Sequence, residues 1–577
     1  MRGHKGGENM YNTMRISGLA SGIDTDEMVQ SMMRVEKVKV DRVEQDKQLL
    51  LWRQEMYNDL NKTFANFILK SRKDFGLTSI GYNGTFRTNS YQNLNWVKKA
   101  TSSNETVATV SSTAKAVDGS YNVEVTQLAE GVTMASGSDI KDMFDEDGKL
   151  KEQDFEFTIS DGKNFAVISS EKIKEGKINE EAITMDDLVK AINSAKDKGG
   201  NVLNIRASYD HNIGRFFIQT TKTGSDAKLK IEADGTGKSV IDALNLQYKT
   251  VDKDGEVKYE QYLVNAEART GKNAIINFNG ANGIEQPSNH ITINGITMDL
   301  KSKGEFTVNV GTDVDGVYEK VKQFVDDYNE LVEKTNKLLG EEQYRNYTPL
   351  TADQKKEMEK EDIKLWEEKA KSGLLRSDEI ISRTMLNTRH AIYEKFEDGF
   401  SGKYTLITDI GISTEKYARG SAGGKLVIDE NKLKKAIAED PDEVMKLLFK
   451  ESEFVEKDEN DKKTKKYEGG GFIARIHDNL MLGMEEIIQK SGTAGESDLY
   501  RSVKGSILLD FIAGTQTGKG NISLLDKDIL DYNKRIDDLN VMLFKKENAY
   551  YAKFAAMEKA ISRMNQQSMW MMQQFME

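Results

Sequence analysis

Ile529, Ile536, Leu543, Tyr550, Met557, Met564 and Met571 recur at seven-residue steps along the last part of the chain. Leu525, Tyr532 and Leu539 add a second seam position early in the series, and Phe554 and Ile561 add one later. That spacing keeps an apolar stripe on one side of an α-helix, and a stripe of this length is only useful against a partner helix. The three prolines, Pro287, Pro349 and Pro441, leave both ends of the chain free of the strongest helix breaker. At about 1.5 Å per residue, a helix from Leu524 onward would run on the order of 80 Å.

The partner is expected at the other end. From Asp24 to about Phe75 the sequence reads as helix, with Asp24 and Thr25 able to cap it and Asp26 and Glu27 in the first turn, where the helix dipole favours anions. Val43, Leu50, Tyr57 and Phe64 recur at seven-residue steps, and Leu60 and Phe67 fill the other seam position. Asp46, Arg53, Lys546 and Lys553 interrupt the two seams, so each is a partial heptad.

Between the helical ends, from about 88 to 311, the period changes to two. "YNVEVTQ", "DFEFTIS", "RFFIQTT", "AKLKIEA" and "ITINGITMDL" alternate or carry β-branched and aromatic residues, with turn stretches such as "DEDG", "DKDG" and "ADGTG" between them. One helix is expected near "TMDDLVKAINSAK". Beyond Gly311 helices return, in "DVDGVYEKVKQFVDDYNELVEKTNKLL" and at "EDPDEVMKLLF", where Asp440 can cap, Pro441 opens the helix and Glu443 completes a capping box. The charged, glycine-ended stretch 454–471 reads as a mobile loop. At 577 residues the chain exceeds one hydrophobic core. The fold expected is α+β and elongated: antiparallel terminal helices form a coiled-coil-like stalk, with a helical leg domain and a β-rich head inserted in the middle. The boundaries read as 1–45 for an N-terminal disordered segment and the first stalk helix, and 46–100 for the first part of the leg. The head takes 101–285 as two modules, the rest of the leg 286–520 (a strand pair, then helices), and the last stalk helix 521–577.

Composition removes several classes of function. The chain has no Cys, which excludes disulfides, thiolate metal sites and cysteine nucleophiles. A net charge of -12, with Lys and Arg mixed among Asp and Glu throughout, argues against a nucleic-acid surface. No apolar run approaches the roughly 20 residues that span a bilayer. The opening "MRGHKGGENMYNTMRISG" has no apolar core, so no secretory signal peptide is expected. "GTGKS", 235–239, ends like a phosphate loop, but Glu232 stands where the motif needs a Gly, and a turn between strands fits better. The Asp-x-Asp-Gly tracts at Asp145, Asp252 and Asp313 lack the first-position Asp and the closing Glu of a calcium loop, so they read as turns or helix caps. His4, His211, His290, His390 and His477 are scattered without ligand spacing. Neither catalysis nor a cofactor nor a metal is expected.

The chain closes on "MNQQSMWMMQQFME", with five Met, one Trp and one Phe in fourteen residues. Trp570, Met571, Met572, Phe575 and Met576 point around much of the helix, more than one intramolecular partner would cover. Unbranched thioether side chains repack against non-identical surfaces, so this end reads as a partner contact.

Here the sequence resembles a known family. "SGLASGIDTDEMVQSMM" (17–33), "WRQEMYNDLN" (52–61), "NHITINGITMDL" (289–300), "VKQFVDDYNELVEKTN" (321–336), "YTPLTADQKKEM" (347–358), "LWEEKAKSGLLRSD" (365–378), "GKLVIDENKLKKAIAEDPDEVMKLLF" (424–449) and "FAAMEKAISRMNQQSMWMMQQF" (554–575) resemble the bacterial flagellar filament cap family, hook-associated protein 2. The region from about 101 to 270 and the residues before Met14 depart from that pattern. The resemblance implies a non-enzymatic assembly factor, exported through the flagellum to lie outside the cell at the filament tip. It implies a ring of copies, described as a homopentamer. Its partners would be flagellin, the hook–filament junction proteins and a cytoplasmic export chaperone, with adhesion to host mucin in some members. Stalk and terminal contacts are expected from Leu19, Ile23, Met28, Met32, Tyr550, Phe554, Met557, Ile561, Met564, Trp570, Met571 and Phe575. Another axial flagellar protein, a glycan-binding adhesin and a secreted hydrolase are the competing readings.

Overall fold

The computed structural model describes residues 22, 24–80, 86–175, 182–251, 254, 256–396, 403–416, 423–459, 462–492 and 523–576. The chain mixes helix and sheet and divides into two compact units, one of residues 1–87 with 318–577 and one of 88–317.

The first unit is built on the helix Thr25–Asp74. Asp24 opens it by accepting the N–H groups of Asp26 and Glu27, each at 3.0 Å, which satisfies donors that the first turn leaves unpaired. Its second half is apolar on the side that the heptad predicts, and Tyr57, Leu60, Phe64, Phe67 and Ile68 are buried there. Phe67 meets Phe324 and Tyr328 of the helix Val314–Gly340 at ring-centroid distances of 5.5 and 6.4 Å. It also meets His477 of the helix Phe472–Ser491 at 6.0 Å. Phe75, just past the helix end, stands edge-on to Phe449 at 4.7 Å. Phe449 closes the helix Pro441–Phe449, which Asp440 caps by accepting the Glu443 N–H at 3.1 Å. The Tyr57 hydroxyl donates to Asp378, whose other oxygen accepts the N–H groups that open the helix Glu379–Tyr393. One carboxylate thereby ties the first helix to the middle of the unit.

Two local expectations are corrected. The stretch read as a mobile loop holds an antiparallel hairpin, Glu453–Glu459 with Lys462–Glu468. Its register sets Glu456, Asp458 and Glu459 opposite Lys465, Lys463 and Lys462 along the backbone. "GTGKS" is not a turn between strands but opens the helix Gly235–Ala243, with Val240 and Ile241 buried. Gly237 is there for close packing: a Cβ would lie 1.8 Å from the Glu156 carbonyl oxygen, leaving no room for a phosphate. The helices Ala352–Glu357, Lys360–Lys371 and Phe472–Ser491 add to those expected.

The second unit carries two apolar cores. One lies between a five-stranded sheet and a three-stranded sheet and contains Val123, Ile276, Met298 and Val308. In the smaller sheet, His290–Ile293 turns into Ile296–Leu300 through Asn294 and Gly295, both at positive φ (50° and 79°), as a two-residue hairpin requires. The other core contains Phe155, Ile159, Phe216 and Ile231. It fills a five-stranded sheet ordered Val257–Gln261, Leu246–Val251, Thr133–Ser136, Arg215–Thr220, Ile205–Asp210, and a four-stranded sheet ordered Arg269–Thr270, Lys228–Ala233, Glu156–Ser160, Phe165–Ser169. The helix Met185–Ser194 covers it, opened by a reciprocal cap between Thr184 and Asp187.

His477 and Asp478 sit side by side in the first unit, and burial acts on them in opposite directions. The His477 imidazole is pushed down to about 3 and contacts the Ser71 hydroxyl at 2.6 Å through Nε2. The Asp478 carboxyl is pushed up to about 7 by burial, against the Ser452 hydroxyl and the Arg72 and Arg475 cations that face it; Tyr467 lies close enough to feel its charge. The histidine binds a proton on unfolding below about pH 6.5, so its contribution to stability rises with pH between about 3 and 6.5. The aspartate releases one on unfolding between about pH 3.8 and 7, so its contribution falls over that window. In the wild type the two slopes oppose each other. Asp478→Asn removes the falling limb, so the melting temperature of the variant relative to wild type should climb from pH 4 to pH 7. A constant difference over that range would refute the assignment.

Candidate partner surface on the terminal helices

The last helix, Leu524–Met576, lies against the first. Two contacts fix their relation. Lys546 pairs with Glu36 at 2.6 Å, and Gln54 donates to Asp526 at 2.8 Å. Moving forward along the first helix from Glu36 to Gln54 corresponds to moving back along the last from Lys546 to Asp526, so the pair is antiparallel. Lys546 occupies a seam position but reaches across the pair, and its hydrogen bond holds the Glu36 carboxylate below the ordinary range. The far side of the first helix is braced by the segment that follows Tyr347. Gln45 donates to the Pro349 carbonyl at 2.6 Å, Lys37 pairs with Asp353 at 2.7 Å, and Lys371 pairs with Glu55 at 3.3 Å. Trp366 donates its indole N–H to the Thr348 carbonyl at 2.8 Å, which shapes that segment.

The register has a consequence at the open end of the pair. Continued from Glu36 and Lys546, it sets Met32 level with Tyr550 and Met28 level with Phe554. Thr25, where the first helix begins, comes level with about residue 557. The remaining turns of the last helix, about 30 Å at 1.5 Å per residue, extend past the start of its partner. Exposure follows this geometry. Tyr550, Phe554, Met557 and Ile561 are half-buried, whereas every residue from Arg563 to Met572 is exposed. Met564 is 65% exposed, Trp570 59%, Met571 52% and Met572 67%. The seven-residue series therefore continues in the sequence past Ile561 while its burial does not.

The expected contact residues thus fall into four groups, one of them the half-buried Tyr550, Phe554, Met557 and Ile561. Met28 and Met32 are exposed on the first helix, at the height of Tyr550 and Phe554 on the last. Met564, Trp570 and Met571 are exposed on the overhang, and Phe575 lies in the same helix with its side chain outside the described residues. Leu19 and Ile23 also lie outside the described residues. Sequence reasoning missed Val35, Val38, Val541 and Phe544, which are exposed on the paired part of the two helices. The signal was available: these are large apolar residues at positions that the seam spacing leaves on the outside. Large apolar side chains crowded onto an exposed helical segment mark a site of association.

Among the described residues, no group of three or more His, Asp or Glu side chains could hold a metal ion, and no helix is long and apolar enough to cross a membrane.

Because Trp570, Met571 and Met572 are exposed, Trp570→Ser, Met571→Ser and Met572→Ser together should shift the melting temperature by no more than about 2 °C, as expected of surface substitutions. Phe64→Ala, in the buried half of the first helix, should instead cost about 3–5 kcal/mol. Calorimetry on the two variants checks both, and a large loss from the triple variant would show that the overhang is core.

The chain is similar to known proteins along most of its length. The family described as flagellar hook-associated protein 2 C-terminus matches residues 271–566, and its N-terminus counterpart matches residues 21–131. Flagellar hook-associated protein 2 of Halalkalibacterium halodurans is 30% identical over 585 aligned residues, covering 96% of this chain and 98% of that protein. The A-type flagellar hook-associated protein 2 of Pseudomonas aeruginosa is 26% identical over 502 residues, 85% of this chain and 90% of that one. Among solved structures, the flagellar cap protein FliD D1-D2-D3 domains from Escherichia coli align with a TM-score of 0.43 at 20% identity, over 75% of this chain and 95% of that one. With its C-terminal half matched from 271 to 566 and a relative matched along nearly its whole length, the chain belongs to the flagellar hook-associated protein 2 family.

Proposed function

We propose that this chain caps the growing end of a bacterial flagellar filament and that the overhanging end of its last helix is where it grips flagellin. The observation that carries the second part is the run of exposed Met and Trp side chains from Met564 to Met572, beyond the reach of the first helix. A cap must hold a succession of subunit surfaces that differ slightly and must let each one go. Met side chains suit that task, because they fill irregular gaps at small cost in strain. Burying one large apolar side chain contributes roughly 1.5–3 kcal/mol, so Trp570, Met571 and Met572 together can supply most of the grip on a partner. Met28 and Met32, level with Tyr550 and Phe554, extend the same surface down the pair, and Leu19, Ile23 and Phe575 are assigned to it as well. The cap works outside the cell as an assembly of copies and does no chemistry. Hook–filament junction proteins beneath it and a cytoplasmic chaperone that covers the apolar end before export complete its set of partners.

The test uses the triple variant Trp570→Ser, Met571→Ser, Met572→Ser in cells that lack their own cap protein. The variant should be made and exported at wild-type level, yet flagellin should accumulate as monomer in the medium and filaments should be short or absent. Filaments of normal length would reject the overhang as the gripping surface.

A further inference from the structure

We infer that the overhang of the last helix is a methionine oxidation site. Met564, Met569, Met571 and Met572 take up oxygen from a peroxide-class oxidant ahead of the other described methionines, and in the sulfoxide form they no longer grip an apolar partner. The loss of grip rests on the role proposed above for this surface, whereas the order of oxidation does not.

The chemistry needs a thioether that the oxidant can reach. The chain has 23 Met and no Cys, so no thiol competes for a two-electron oxidant. Among the described residues, methionine exposure is graded along the fold. Met564, Met569, Met571 and Met572, all on the overhang, are 52–67% exposed. Met28, Met32 and Met542, on the paired part of the two helices, are 39–48% exposed. Met134, Met185, Met298, Met445 and Met484 are buried, at 2% or less. The four overhang thioethers lie between Met564 and Met572, about two and a half turns of one helix. Charge does not guard them. Residues 559–576 include Lys559 and Arg563 but no Asp or Glu, in a chain of net charge -12. Neither a neutral nor an anionic peroxide is held off by such a segment.

In the step itself, a sulfur lone pair attacks one oxygen of hydrogen peroxide. An S–O bond forms and the O–O bond breaks. The displaced oxygen leaves as hydroxide and takes the proton from the new S–O–H group to become water. Sulfur is oxidised by two electrons and the peroxide is reduced by two. The product is a sulfoxide, polar and chiral where the thioether was apolar and adaptable. Its oxygen is a strong hydrogen-bond acceptor, and an apolar partner surface holds no donor for it. Contact then removes the oxygen from water with no hydrogen bond in return. In the free chain the same oxygen faces solvent, so oxidation of the overhang leaves the fold in place.

The experiment treats the full chain with hydrogen peroxide, locates sulfoxides by peptide mass spectrometry and measures binding to immobilised flagellin by surface plasmon resonance. The four overhang methionines should oxidise at least about tenfold faster than the five buried ones, with Met28, Met32 and Met542 between them, because access to the sulfur sets the rate. Once the overhang alone is oxidised, flagellin binding should fall at least about tenfold while the melting curve stays in place. Two variants separate oxidation from other damage. Met564→Leu, Met569→Leu, Met571→Leu and Met572→Leu together keep the apolar surface without the sulfur, so binding should survive the same treatment. Met564→Gln, Met569→Gln, Met571→Gln and Met572→Gln together place polar groups there and should lower binding with no oxidant. Overhang methionines that oxidise no faster than Met134 or Met484 would overturn the site. Oxidised wild type that binds as before, or a Leu variant that loses binding on treatment, would overturn the loss of grip. An untreated chain that does not bind flagellin would overturn the gripping role itself, and the sulfoxide positions would still decide the site.

Discussion

The first unit depends on a knot of aromatic rings. Phe67 and Phe75, at the end of the first helix, meet Phe324, Tyr328, Phe449 and His477, which come from three other helices. Aromatic pairs at these distances add about 0.5–1.5 kcal/mol beyond the area they bury. The knot also sets direction. It clamps one end of a fifty-residue helix, so the other end has to find its stability along its length. It does so by pairing with the last helix through a seam broken by charged residues, two of which, Glu36 and Lys546, bind each other across it.

That division of labour explains what the residues disclosed before the structure. Seven-residue spacing identified both long helices, because a strictly repeated stripe has few other ways to be buried. Period-two stretches located the strands of the β-rich middle for the same reason. The hairpin 453–468 was hidden because most of its residues are charged, and a reading along one strand does not register which residues stand opposite each other across the ladder. The helix Gly235–Ala243 was hidden because its glycines advertise a turn, whereas Gly237 is needed for close approach to Glu156. On the terminal helices, the crowding of Met and Trp after Met564 was plain from composition. The point at which burial stops was not, because it depends on the register of two distant segments. Val35 and Phe544 lie off the positions that the seven-residue spacing marks, and their exposure follows from the pairing of the two helices.

The two units use apolar exposure differently. In the first, exposed Met and Trp side chains lie on the two terminal helices. In the second, Phe165, Val251, Val257 and Tyr259 are exposed on strands, where backbone hydrogen bonds impose direction and register. Both belong to a chain whose family assembles at the flagellum.

The antiparallel register also governs how the first unit carries a mechanical load. A pull on the overhang, directed outward along the axis of the last helix, acts parallel to the seam. Its contacts from Asp526 to Lys546 are then strained in shear, all at once, instead of opening one after another like a zip. A sideways pull would peel them singly from the open end. The same weak seam is therefore stiff along one direction and compliant across it, so the stiffness of the helix pair is set by the direction of the load and not only by the number of its contacts.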